Sequence, residues 1–402
     1  ELWFDPAHGS VSKPFRLGSW HIPVRHLSSR HFDAVMLSTT IFPGRYVQGP
    51  GAMNDLAAES ARFGTRGLFL LDPYVHDHIF PEYREALSAK LDVQEVRFGG
   101  ESSEEEIKRI VRAAKDPVDF VAGVGGGKTM DTAKAVAGDL DATTIIVPTL
   151  ASTDAPCSAL SVIYTPDGSF QEYRFYPTNP QMVIVDSQVV LEAGERLLVA
   201  GMGDALSTWF EAESCRQSSS PNMTGHAGSM TGYALARLCY DTLLEYGETA
   251  VTSLRAGASS SAFEKIVETN TLLSGIGFES GGLASCHAIH NGLTTIHATH
   301  EYFHGEKVAI GVLASLFLTD KPPRFIDDVY DFCERIGLPT TLADIGMQDP
   351  GQKELMQVAN RATQDGETIH NEPVPITPER VVEALRVADQ TGQERKKEPV
   401  LA

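Results

Sequence analysis

Cysteine is scarce in this chain, and what little there is does not cluster. Cys157, Cys215, Cys239, Cys286 and Cys333 are scattered through 402 residues without a Cys-x-x-Cys pair, which argues against a disulfide framework or a thiolate zinc site and implies a reducing compartment. Basic residues are also in short supply. Against 53 Asp and Glu there are 33 Lys and Arg, for a formal net charge of -20, so nucleic acid and anionic membrane would both repel the chain and are not expected partners. No apolar run reaches the roughly 18 residues of a membrane span. A soluble protein acting on a small molecule is the expectation.

What is present is enough apolar sequence, 42% of residues, to bury a large core and to form two domains. From Met36, short apolar runs alternate with helix-period segments, the signature of a parallel sheet covered by helices. Strands are expected at Tyr46-Val47, Gly67–Asp72, Val93–Phe98, at the run from Phe120, and at Thr143–Pro148 and Met182–Asp186. Helices are expected over Asp55–Phe63, Ser103–Lys115 and Met130–Gly138. Val162–Phe175 alternates around Pro166-Asp167-Gly168, which is hairpin chemistry. Beyond about residue 195 the pattern turns to long helical stretches, such as Gly203–Cys215, Ser229–Tyr246, Ala262–Leu273 and Val308–Phe317. The expected division is an N-terminal extension over 1–35, an α/β domain over 36–195 and an all-α domain over 196–402. Residues 1–35 carry Lys13, Arg16, Arg25 and Arg30 with few acids. That is loosely the composition of a mitochondrial presequence, but it lacks a clear apolar helical stripe, and the segment is read as outside the fold.

The organising stretch is Phe120-Val-Ala-Gly-Val-Gly-Gly-Gly-Lys-Thr-Met-Asp-Thr-Ala-Lys134. Gly123, Gly125, Gly126 and Gly127 let backbone N–H groups approach an anion at a helix N-terminus, and Lys128 adds a charge. A Walker loop is excluded because Ala122 occupies its first glycine position, and the G-x-G-x-x-G fingerprint fails because Lys128 occupies its third. A pyrophosphate cradle and a plain strand-to-helix turn both fit what is left, with Asp131 and Lys134 at helical spacing favouring the cradle. Asp72, at the end of a buried strand, is placed to accept hydrogen bonds from a ribose and to repel the extra phosphate of NADP, or is an ordinary turn aspartate before Pro73. The polar turn Thr149-Leu-Ala-Ser-Thr-Asp-Ala-Pro156 follows the next strand, where ligands sit in open sheets.

Potential metal ligands stand at Gly201-Met-Gly-Asp204, at Cys286-His-Ala-Ile-His290-Asn-Gly, and at Phe303-His-Gly-Glu306. Carboxylate oxygen with imidazole nitrogen suits zinc or another divalent transition ion. His287 and His290 share a helix face. Asp204 precedes Trp209 and Phe210 and reads either as a ligand or as a helix N-cap.

Together these motifs resemble the glycerol dehydrogenases, a zinc-dependent branch of the iron-containing alcohol dehydrogenase superfamily. The resemblance runs from about Met36 nearly to the C-terminus. It rests on Pro43-Gly-Arg-Tyr-Val-Gln-Gly, the glycine loop through Lys134, Ala151-Ser-Thr-Asp-Ala-Pro-Cys-Ser-Ala-Leu-Ser-Val-Ile-Tyr-Thr, Gly203-Asp-Ala-Leu-Ser-Thr-Trp-Phe-Glu, His287-Ala-Ile-His-Asn-Gly, His304-Gly-Glu-Lys-Val-Ala and Glu367-Thr-Ile-His-Asn.

The fold that the resemblance implies is dehydroquinate synthase-like, with a Rossmann-like NAD-binding domain and a helical metal-binding domain. It assigns the metal, one zinc ion per subunit, to Asp204, His287 and His304. Asp154 and His287 would contact glycerol. NAD would be lined by Asp72, Gly126, Gly127, Lys128, Asp131, Thr149, Ser152, Ser158, Leu160 and Tyr164. The iron-dependent members place a histidine four residues after the ligand aspartate, and here that residue is Thr208, which favours a three-ligand zinc site. His290 would then orient a ligand or relay a proton, or be structural. The implied reaction is reversible oxidation of glycerol to dihydroxyacetone, with zinc polarising the C2 hydroxyl and hydride passing to the nicotinamide. Another vicinal-diol dehydrogenase, for example for propane-1,2-diol, a dehydroquinate synthase-like lyase and a non-catalytic NAD sensor are the alternatives. A cytoplasmic homo-oligomer of dimers to octamers is implied, or a mitochondrial matrix protein if residues 1–35 are a presequence.

Overall fold

The structure, a computed structural model, describes residues 37–115, 117–166, 168 and 170–397. The extension expected over 1–35 and the hairpin-turn residue Asp167 lie outside the described residues.

Strands β1 (Tyr46–Gly49), β2 (Arg66–Leu71), β3 (Asp92–Arg97), β4 (Phe120–Gly125) and β5 (Thr143–Pro148) are followed by β6 (Leu160–Tyr164), β7 (Phe170–Phe175) and β8 (Met182–Asp186). Six of them form a parallel sheet in the order β1-β8-β5-β4-β2-β3, while β6 and β7 pair as an antiparallel hairpin. The central strands are near-continuous apolar runs because both faces of the sheet are covered. Alternate residues then divide between two cores. Leu68, Leu70, Val121, Ile146, Val183 and Val185 join a core that continues into the helical half. Phe69, Leu71, Phe120, Ala122, Val124, Ile145 and Val147 pack on the opposite face against Met53, Leu56, Phe80 and Leu87.

Helices α1 (Leu56–Ser60), α2 (Arg84–Ser88), α3 (Glu104–Ala113), α4 (Gly127–Leu140) and α5 (Ser187–Ala193) belong to this half. The second half is helical: α6 (Glu195–Ser218), α7 (Met230–Arg255), α8 (Ser261–Glu268), α9 (Ser274–Gly281), α10 (Ser285–Leu293), α11 (His304–Leu318), α12 (Pro323–Ile336), α13 (Gln352–Ala362) and α14 (Pro378–Arg395). No helix among the described residues is long and apolar enough to cross a membrane.

Several boundaries differ from expectation. The first helix is confined to α1, because Ala52–Asp55 is a 3-10 turn. Helix α4 begins at Gly127, three residues before the expected Met130, so Lys128 lies in its first turn. Helix α6 begins at Glu195, which places Asp204 in mid-helix and removes the N-cap reading. Gly201 and Gly203 lie inside this helix, where they serve close packing. A Cβ on Gly201 would stand 1.9 Å from the Ala151 carbonyl oxygen, and one on Gly203 2.4 Å from that of Gly305. Each glycine weakens an exposed helix by roughly 0.5–1 kcal/mol, a cost outweighed here by the backbone contact it permits.

Candidate active site

The glycine loop sits at the C-terminal edge of three adjacent parallel strands. Gly125 ends β4 with φ 156, Gly126 precedes α4, and Thr149 N donates to Gly125 O at 3.1 Å. Asp72 N donates to Val124 O at 3.0 Å, and the Asp72 carboxylate accepts from Tyr74 N at 2.9 Å. A Cβ at Gly125 would approach that of Asp72 to 2.8 Å, and one at Gly126 would come within 3.1 Å of the Leu150 side chain. The structure therefore brings Asp72, Gly126, Gly127, Lys128 and Thr149 to one sheet edge. This is where nucleotides bind in open α/β sheets.

Lys128 Nζ is 2.6 Å from Glu101 Oε2 and 5.1 Å from the centre of the Tyr164 ring, so the hairpin borders the loop. Ser152 is half-buried in the turn after β5. Asp131 and Lys134 pair with each other at 3.4 Å. Asp131 Oδ2 accepts from Val162 N at 3.1 Å. Lys134 Nζ donates to Ala155 O at 2.6 Å, to Leu160 O at 2.8 Å and to Ser158 Oγ at 3.3 Å. Burial raises the Asp131 carboxyl, with Lys134 opposing. Asp131, Ser158 and Leu160 thus meet around a buried ammonium that ties the hairpin to α4. The spacing read in the sequence as an aid to pyrophosphate binding forms this internal brace.

In the helical half, Asp204, His287 and His304 converge. One potential ligand atom from each lies within 4.8 Å of the others. Asp204 Oδ1 is 3.3 Å from His287 Nε2 and 3.1 Å from His304 Nε2. Its own carboxylate is 1% exposed, whereas the His304 side chain is 37% exposed, so the cluster is buried on one side and open on the other. Burial opposes ionisation of Asp204, yet the two imidazoles hold it well below the usual carboxylate range. Burial likewise disfavours a charged His287, but Glu211 and Asp204 together raise it.

Both imidazoles are anchored. His304 opens α11, whose first turn is capped by Glu306: Phe303 N donates to Glu306 Oε2 at 2.7 Å, and Arg196 Nε donates to Oε1 at 2.6 Å. His287 Nδ1 is 2.6 Å from Glu211 Oε2, and Glu211 Oε1 accepts from His287 N at 3.0 Å and Ala284 N at 2.9 Å. That carboxylate orients the ring and leaves Nε2 facing Asp204, the arrangement seen around metal-bound histidines. One carboxylate and two imidazoles, the His287 ring oriented by Glu211 and one side of the cluster open, fit a divalent transition ion.

Two neighbours complete the site. Asp154 is buried beside the ligands: its backbone N donates to Asp204 Oδ2 at 3.2 Å, and Ser274 Oγ donates to its Oδ2 at 2.9 Å. Burial, and then the Asp204 charge, push the Asp154 carboxyl well up. The His290 ring lies 4.1 Å from that of His304, and its Nδ1 is 3.2 Å from Asn291 Oδ1. Burial keeps His290 well below the ordinary imidazole range, helped by His304 and Lys307. Sequence reading did not single out Glu211 or Ser274. Glu211 carried a signal: it lies seven residues after Asp204, two turns along the same helix face.

Comparison with known proteins decides the family. Residues 43–187 match the family model described as iron-containing alcohol dehydrogenase. Over 361 residues the chain is 59% identical to a glycerol dehydrogenase of Thermotoga maritima, covering 90% of this chain and 99% of that one. The chain belongs to the glycerol dehydrogenases. Another member of the family, from Citrobacter freundii, is 46% identical over 361 residues, covering 89% of this chain and 99% of its own. The crystal structure of the Schizosaccharomyces pombe glycerol dehydrogenase superposes with a TM-score of 0.87 at 39% identity, covering 92% of this chain and 95% of that one. The family likeness thus spans both the sheet and the helical half, and the chain is an oxidoreductase.

Proposed function

We propose that the protein catalyses the reversible, NAD-dependent oxidation of glycerol to dihydroxyacetone, with one zinc ion per subunit. The convergence of Asp204, His287 and His304 beside Asp154 carries this reading, in a chain whose relatives bear the name glycerol dehydrogenase. Asp204, His287 and His304 would hold zinc. Asp72, Gly126, Gly127, Lys128, Thr149 and Ser152 would hold NAD, with Asp131, Ser158, Leu160 and Tyr164 framing it through the hairpin. When bound, zinc supplies Lewis acidity that eases loss of the alcohol proton, and NAD supplies the hydride acceptor.

The chain's own residues do the rest. Asp154 accepts a hydrogen bond from a hydroxyl neighbouring the reacting one, which presents the reacting carbon in one orientation. His304, the most exposed of the three ligands, marks the side from which substrate enters. Lys307 stands one turn after His304 but is buried, with Nζ 3.4 Å from Thr299 O. It is poorly placed for a phosphate, which disfavours the lyase alternative. Propane-1,2-diol shares the reacting hydroxyl and one neighbour with glycerol and is the second substrate to test.

The test is NADH formation from glycerol and NAD by protein as purified, after chelation, and after zinc is restored. Activity is expected to vanish and return. Turnover that survives complete metal removal would overturn the metal assignment. No turnover of glycerol with zinc and NAD both bound would overturn the substrate.

A further inference from the structure

We propose that Thr208 and Ser274 form a buried hydroxyl relay that aims Asp154 at the substrate, and so set the preference for polyols over simple secondary alcohols. The inference rests on the reading of Asp154 as the group that accepts a substrate hydroxyl.

The three side chains form one chain of hydrogen bonds. Ser274 Oγ donates to Asp154 Oδ2 at 2.9 Å. Thr208 Oγ1 lies 2.9 Å from Ser274 Oγ. A serine hydroxyl has one hydrogen, and here it goes to the carboxylate, so the second bond runs from the Thr208 hydroxyl to the serine oxygen. Thr208 is 1% exposed, Ser274 0% and Asp154 9%, so water does not compete, and aligned bonds of this kind strengthen one another. Asp154 Oδ1 takes no hydrogen bond from any described residue. It is the oxygen left for substrate.

The surrounding backbone is shaped to keep this geometry. Thr269–Leu273 is a single π turn leading into α9, a device frequent at functional sites. Asn270 in that turn donates from Nδ2 to Ala151 O at 2.9 Å, while Ser274 reaches Asp154. The loop from 151 to 154 is therefore gripped at both ends by one short stretch of chain. Two glycines flanking the contact let α9 come close. A Cβ on Gly275 would stand 2.9 Å from Asp154 O, and one on Gly277 2.5 Å from Thr208 Cγ2. Thr208 lies one helical turn after Asp204 on α6. Its hydroxyl thus meets Ser274, and Ser274 in turn holds the Asp154 carboxylate.

The relay predicts a loss that depends on the substrate. A hydroxyl-to-carboxylate bond is worth enough that its removal lowers kcat/KM for glycerol on the order of ten-fold in S274A. Propan-2-ol has no neighbouring hydroxyl. Scored as substrate, or as competitive inhibitor where turnover is slow, it is expected to be unchanged within about two-fold, because no bond to Asp154 is at stake. Zinc content and NAD affinity should match wild type. T208V keeps the shape of the side chain and removes its hydroxyl. It should shift the glycerol to propan-2-ol ratio in the same direction by less, and adding it to S274A should change nothing further. Equal losses for both alcohols, or lost zinc, would overturn the proposal by making the hydroxyls part of the metal site or the fold. D154N separates the two readings. If D154N loses glycerol selectively and S274A does not, the relay alone falls. If D154N shows no selective loss, the role of Asp154 falls and the relay with it.

Discussion

Glu211 holds His287 at two points, through the ring nitrogen Nδ1 at 2.6 Å and through the backbone N–H at 3.0 Å. The same carboxylate also accepts from Ala284 N at the start of α10, so one buried acid fixes both the helix that carries the ligand and the rotation of the ligand's ring. Replacing the carboxylate by an amide keeps the volume and removes the charge. E211Q is expected to weaken zinc binding by roughly 10–100-fold, the usual cost of disturbing a partner of a metal-bound histidine. Competition against a calibrated chelator measures this without recourse to activity. Wild-type affinity in E211Q would show that His287 needs no such partner.

Backbone proximity is the second requirement of the metal cluster. Gly305 follows His304, and a Cβ built on it would lie 1.7 Å from Ala200 O and 3.0 Å from Asp204 N. Helix α11 can reach α6 only because this side chain is absent. G305A must push the two helices apart, and overpacking of this kind costs about 1–3 kcal/mol or more. The expected outcome is a lower melting temperature together with lost zinc, since Asp204 and His304 separate when the helices do. A variant that melts like wild type and keeps its zinc would mean that α11 shifts without disturbing the ligands.

Much of this was legible in the chain itself. The four inner strands β8, β5, β4 and β2 announce themselves as short apolar runs because a sheet covered on both faces needs no polar alternation. The candidate ligands Asp204, His287 and His304 stand out as polar residues in apolar or glycine-rich surroundings. Less legible were relationships that depend on tertiary approach. The glycines beside Asp204 suggest a helix start by local propensity, yet they lie inside α6, because what selects them is the carbonyl of a different segment. The Asp131–Lys134 spacing is compatible with either a ligand or an internal pair, and the internal pair is visible only once the hairpin is in place. Ser274 has no local mark, since its partners are 66 and 120 residues away in sequence.

Lys128 and Glu101 give predictions of opposite sign. The ammonium is 2.6 Å from the Glu101 carboxylate and 48% exposed, so it is accessible to a bound pyrophosphate and is shared with Glu101. K128M should raise the Kd for NAD on the order of ten-fold or more by removing a charged hydrogen bond, with zinc content unchanged. E101Q removes a competitor for the same ammonium and should lower the Kd for NAD. Titration of NAD by protein fluorescence distinguishes the two. Equal weakening in both variants would show that the pair is structural and that Lys128 does not meet the cofactor.

Glu279 links the two halves and should make their union depend on pH. It lies on α9, 3% exposed, where Oε1 accepts from Ala159 N at 2.6 Å and Oε2 accepts from the Asn179 amide. Burial raises its pKa from 4.5 to about 7, against the hydrogen bonds from Ala159 and Asn179 and the nearby Lys134 charge, all of which favour ionisation. A carboxyl raised on folding holds its proton in the native state at pH values where the unfolded chain has already lost it. Between about pH 4.5 and about pH 7 the native state therefore binds more protons, and stability falls as pH rises through that window. The difference between 4.5 and about 7 sets an upper bound on the order of 3 kcal/mol. E279Q cannot ionise. Its urea-unfolding free energy, compared with wild type at about pH 5.5 and about pH 8.5, should differ by a margin that changes in favour of the variant as pH rises. The offset from the lost acceptor is the same at both values and cancels in the comparison. Parallel behaviour of the two proteins would show that Glu279 is already ionised throughout this range, held so by Ala159, Asn179 and Lys134.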